Sequence, residues 1–100
     1  MSGYLIADVT AINDPGLYER YQSLVPPSLR AFNGSYLARG GGVTVLEGSW
    51  HPRRLVIVRF ESAGRAAAWW ESDQYRQARS MRQAATRTNM IVVEGAEYGH

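Results

Sequence analysis

The run RLVIVRF, residues 54–60, is β-branched and aromatic, and no polar side chain interrupts Leu55 through Val58. Those residue types predict a strand. Side chains along a strand alternate between the two faces, so Leu55 and Ile57 share one side while Val56, Val58 and Phe60 share the other. Both faces of the sheet that holds this strand must therefore be kept from water, and one layer of helices can cover only one of them.

Upstream, Gly48-Ser-Trp-His-Pro52 reads as a hairpin loop. Before it, a strand through Ser35-Tyr-Leu-Ala-Arg39 is broken by Gly40-Gly41-Gly42 and is expected to resume as Val43-Thr-Val-Leu-Glu47, the glycines marking a bulge or bend. Farther back, Tyr4 to Thr10 predicts a first strand. Asp14 is suited to cap a helix with Pro15 at its first position. Leu17, Tyr18, Tyr21, Leu24 and Val25 then give that helix an apolar stripe. Pro26-Pro27 predicts a kink followed by a restarted turn through Phe32, and Asn33-Gly34 supplies a left-handed stop.

Downstream of residue 60, Ser62 caps a helix carrying Ala66, Trp69 and Trp70. Ser72 breaks it and caps a further segment with Tyr75, Ala78, Met81 and Ala85 inward, and Thr88 to Glu94 forms a last strand. The order β-α-β-β-α-β predicts an α+β chain of ferredoxin-like type, an antiparallel sheet with both helical units on one face, in a single domain over residues 1–100. Ile91 and Val93 oppose Met90 and Val92 in the last strand, repeating the two-sided apolar pattern. The sequence thus predicts a partner for the helix-free face. A second copy of the chain is the simplest cover, and an aspartate at Val58 is expected to yield monomers or aggregates.

The 100 residues carry 11 basic side chains, all arginine, among 9 acidic ones, for a net charge of +2. With no basic block interleaved with aromatics, a nucleic-acid partner is not expected. No cysteine is present, which removes disulfides and thiolate metal sites. The amino terminus lacks a basic region and cleavage site, and no apolar run is long enough to span a bilayer. No membrane partner and a cytoplasmic location are the expectations.

Asp14-Pro15 with Tyr18 and Tyr21, Pro26, Arg39-Gly40-Gly41, Leu46-Glu47-Gly48-Ser49-Trp50, Pro52 with Arg54-Leu55-Val56-Ile57, and Trp69 through Ser72, Tyr75 and Arg82 together resemble the family called domain of unknown function 1330, within the dimeric α+β barrel superfamily. The resemblance covers nearly the whole chain. The family pattern often has an acid where Arg59 stands and a proline where Asp73 stands. A homodimer is implied, with no established activity. Related barrels include cofactor-free monooxygenases, cyclases, isomerases and haem-handling enzymes, an analogy at the level of fold.

Among residues able to carry chemistry, Arg39 stands at a strand end beside Gly40 and Gly41, where a guanidinium fork can grip a carboxylate or phosphate; the alternative is a structural ion pair. Asp8 shares a strand face with Tyr4 and Ile6. It is either interior, where a desolvated carboxylate could act as a base with Arg82 as partner, or at the rim. These two, Asp8 and Arg39, are the candidate catalytic residues. Tyr18, Tyr21, Trp69 and Tyr75 are expected to line the space between helices and sheet, with Trp50 and Arg82 as further ligand contacts, unless they are simply core and surface. His51 stands alone as an internal histidine, so no metal and no cofactor are expected. These residues predict a pocket for a small organic ligand, in a cofactor-free enzyme of cyclase, isomerase or monooxygenase type or in a non-catalytic binding or stress-related module.

Overall fold

The computed structural model describes residues 1–96. Strand β1 spans Gly3–Ile12, helix α1 Pro15–Ala31, β2 Ser35–Arg39, β3 Arg54–Phe60, α2 Ala63–Glu71, α3 Asp73–Ala85 and β4 Thr86–Glu94. The strands form one antiparallel sheet in the order β2-β3-β1-β4. This is the α+β, ferredoxin-like arrangement expected from the sequence, with the second helical unit divided at Ser72.

Local chemistry sets the helix boundaries. The Asp14 carboxylate accepts from the backbone N–H of Leu17 at 3.1 Å, with Pro15 as the first helical residue. Ser62 and Ser72 do the same for α2 and α3, accepting from Arg65 and Tyr75. At the end of α1, Asn33 takes the left-handed conformation (φ 55°), and the Gly34 N–H donates to the Leu29 carbonyl. Helix α1 continues through Pro26 and Pro27 as one element, so no separate turn restarts after them. Val25 and Leu29, on either side of the prolines, are both buried, and this packing holds the helix across the two missing N–H donors.

The segment after Arg39 corrects the sequence reading, since Val43 to Glu47 is not a strand. Gly40, at φ 74°, turns the chain away from the edge strand β2. The register of β2 with β3 ends at Arg39 opposite Val56, and β3 begins at Arg54, so the segment finds no further length of β3 to pair with. Residues 40–53 instead form a long connection in which Leu46 is 93% exposed. Val43, Val45, Trp50 and Pro52 gather around Leu55.

Strand parity sorts the two faces. In β1, Gly3, Leu5, Ala7 and Val9 are buried beneath the helices, while Tyr4, Ile6 and Asp8 face the other way. The register pairs Leu5 with Val58 and Ala7 with Val56, so Val56, Val58 and Phe60 belong to the helix-covered face. An aspartate at Val58 would therefore strike the core rather than an intersubunit surface. The helix-free face is built on their alternates: Ile6 sits opposite both Ile57 and Ile91, Tyr4 opposite Val93, and Asp8 opposite Leu55. Ile91 and Val93 remain exposed on it. No helix among the described residues is long and apolar enough to cross a membrane.

Candidate functional site

Between the helices and the covered face of the sheet lies a small, partly enclosed cavity of about 40 Å³. Its floor is β1 and β3, with Leu5, Ala7, Val9, Val56 and Val58, and its roof is Tyr18, Tyr21, Val25 and Trp69. The wall is mainly apolar, and three guanidinium groups punctuate it: Arg39 from β2, Arg54 from β3 and Arg82 from α3.

Arg82 is only 6% exposed. Its Nε donates to the Tyr75 hydroxyl at 3.2 Å, and that hydroxyl lies 2.9 Å from the Tyr21 hydroxyl. Tyr75 is fully buried, stacked on Trp69 with ring centroids 3.9 Å apart. Trp69 in turn donates from Nε1 to the Ser28 hydroxyl, which donates to the Val25 carbonyl, so each buried polar group here has a partner. Burial pushes the Tyr21 phenol far above its ordinary range, the nearby Tyr75 adds to this, and Arg82 pulls the other way. Tyr21 is therefore a neutral hydroxyl at any physiological pH.

Arg54 forms a parallel unit. Its Nε donates to the Tyr18 hydroxyl at 2.7 Å, and the Tyr18 ring stacks on that of Tyr21, centroids 5.6 Å apart. Gly40 leaves room for it: a Cβ there would collide with the Arg54 guanidinium. Arg39 is the most exposed of the three arginines and lies over the Tyr36 ring, 4.4 Å from its centroid. Burial also raises the Tyr36 phenol's pKa, against the opposing pull of Arg39. Among the described residues, no carboxylate forms an ion pair with Arg39, Arg54 or Arg82.

The residues singled out from sequence divide by place. Tyr18, Tyr21, Arg39, Trp69 and Arg82 line the cavity, with Tyr75 directly behind. Gly40 shapes the mouth by admitting Arg54, while Gly41 has open space around it. Asp8 and Trp50 meet each other elsewhere. The Trp50 indole donates to Asp8 Oδ2 at 2.9 Å, on the helix-free side of β1, and Oδ1 of the same carboxylate is buried without a partner. Asp8 and Arg82 are therefore not paired. Arg54, Tyr36, Gln22 and Ser28 escape the sequence reading. Arg54 shares strand parity with Val56 and Val58, the one signal that would have placed it at the cavity. No group of three metal-ligating side chains occurs among the described residues.

No curated protein matches the sequence. Among solved structures, a protein of unknown function from Rhodopseudomonas palustris superposes with a TM-score of 0.76 at 18% identity, over 96% of this chain and 83% of that one. A dimeric ferredoxin-like protein of unknown function from Jannaschia sp. CCS1 gives 0.69 at 9% identity, over 95% and 100%. A protein described as a candidate antibiotic biosynthesis monooxygenase from Nitrosomonas europaea gives 0.54 at 12% identity, over 97% and 91%. These likenesses establish the ferredoxin-like fold. The model of the domain of unknown function 1330 matches residues 2–96, and the chain belongs to that family.

Proposed function

We propose that the protein is a homodimer, joined through the helix-free sheet face, whose cavity binds a small organic acid with a largely apolar body. The observation that carries the binding reading is Arg82, a buried guanidinium whose protein partner is a phenol rather than a carboxylate. A buried cation without a counter-charge costs several kcal/mol, and an acidic ligand would offset that cost with a charge-assisted hydrogen bond. The apolar floor and the Trp69 and Tyr18 rings suit an aromatic or aliphatic body.

The dimer reading is supported by the apolar patch that Ile57, Ile91 and Val93 leave on the other face. Asp8 and Trp50 stand on that side and so belong with the contact between copies rather than with the cavity.

For chemistry, the chain Arg82–Tyr75–Tyr21 supplies a means of holding or relaying a proton. With Arg82 donating to Tyr75 and Tyr75 donating to Tyr21, the Tyr21 O–H is left to point at a bound molecule, as in a cofactor-free isomerase or cyclase. The same site without turnover is a binding module. A panel of organic acids and their neutral amides, screened by thermal shift, tests the reading. Acids should raise the melting temperature and amides should not, and equal shifts from both would reject it.

A further inference from the structure

The charge in the cavity wall exceeds what one carboxylate can match. Among the described residues, its lining includes three arginines and no acidic residue. Arg39 is exposed over the Tyr36 ring, which leaves Arg54 and Arg82 as the guanidiniums drawn into the wall. They stand on opposite sides of the central strand. Arg54 belongs to β3, while Arg82 also borders Thr10, Thr88 and Met90 on the β4 side. Arg54 rises from the sheet and Arg82 reaches in from α3, and both line the same cavity. Each is oriented by its own tyrosine, and both share a cavity floor that includes Ala7 and Val9.

We propose that the ligand is a dicarboxylate with an apolar body, one carboxylate at Arg82 and the other at Arg54, with Gly40 as a positioning residue that keeps Arg54 aimed inward. This rests on the reading of the cavity as an organic-acid site and adds the number and placement of charges. A single carboxylate would leave one guanidinium unmatched in an apolar wall. Gly40 enters because a Cβ at that position meets the far end of the Arg54 side chain, so a larger residue displaces that arginine.

The test is titration calorimetry with isophthalate and with its half-amide, which has the same shape and one charge fewer. The native protein should bind isophthalate at least about tenfold more tightly, the effect of one charge-assisted bond. Arg54→Met and Gly40→Ala should reduce that preference to within about threefold, and thermal melts verify that both variants fold. Equal affinity of native protein for the two compounds overturns the two-charge inference and leaves the organic-acid reading standing. Binding of neither compound, nor of any acid in the wider panel, overturns both. Phenyl phosphate, which carries its charges on one group, overturns the two-ended placement if it binds as tightly as isophthalate. A Gly40→Ala protein that keeps the full preference removes Gly40 from the proposal.

Discussion

The hydroxyl oxygens of Tyr21 and Tyr75, 54 residues apart in the chain, lie 2.9 Å from each other in the closed space between α1 and α3. Arg82 donates to the Tyr75 end of the pair, and the Tyr18 ring stacks on the other. Removing the Tyr75 hydroxyl with Tyr75→Phe leaves Arg82 Nε and the Tyr21 oxygen without their shared partner. We expect a loss of about 1–3 kcal/mol in unfolding free energy, the cost of buried polar groups left unsatisfied. Urea denaturation of the two proteins measures it, and an unchanged midpoint would mean that water replaces the hydroxyl freely.

The same pair predicts an alkaline limit to stability. The Tyr21 phenol, raised by burial, stays protonated in the fold, whereas in the unfolded chain it ionises near 10. The unfolded state therefore loses its proton first. The contribution is fully present below pH 10 and falls as the pH rises from there toward the folded-state value, by up to about 1.4 kcal/mol per pH unit. Tyr36, raised by burial as well, adds a slope of the same sign. Unfolding free energies measured across this range should decline for the native protein and decline less steeply for Tyr21→Phe.

Neighbouring residues of β3 separate folding from assembly. Ile57 faces the open side, opposite Ile6, and Val58 is 2% exposed under the helices. Ile57→Asp should give a folded monomer by sedimentation and circular dichroism. Val58→Asp should fail to fold, because an unpaired buried carboxylate costs more than about 4 kcal/mol. A folded dimer from Ile57→Asp would place the contact between copies somewhere other than this face.

How much of this was legible in the sequence depends on the physics of each element. Caps and stripes are local, so Asp14, Ser62 and Ser72 announced their helices. The lack of alternation in residues 54–60 announced a sheet with two dry faces. Which face the helices take is decided by register with β1, a long-range fact, so the sequence leaves either Val56, Val58 and Phe60 or their alternates for the open face, and an aspartate at Val58 tests the core instead. Val43 to Glu47 has strand composition but no ladder to join, which composition does not reveal. Arg39 stands out in the sequence because glycines follow it. Arg54 opens an apolar run and reads from sequence only as part of a strand, although Gly40 leaves room for its side chain.

An arginine-to-lysine series separates geometry from charge. Arg54→Lys keeps the positive charge but cannot reproduce the planar fork that holds the Tyr18 hydroxyl at 2.7 Å. Isophthalate binding should weaken by about 1 kcal/mol or more, with little change in melting temperature, since Arg54 is only partly buried. Arg39→Met should have a smaller effect than loss of Arg82, because an exposed charge is already screened by water.

The most direct measurement is calorimetric titration of the tightest-binding acid from the panel into native protein and into Arg82→Met. Methionine fills much of the same volume without the charge, and a melting curve verifies the fold. Affinity should fall by about 2 kcal/mol or more, roughly thirtyfold, with the loss confined to acids and absent for neutral amides. Equal affinity of the two proteins for the acid would contradict the account, because the buried guanidinium would then have no part in holding the ligand.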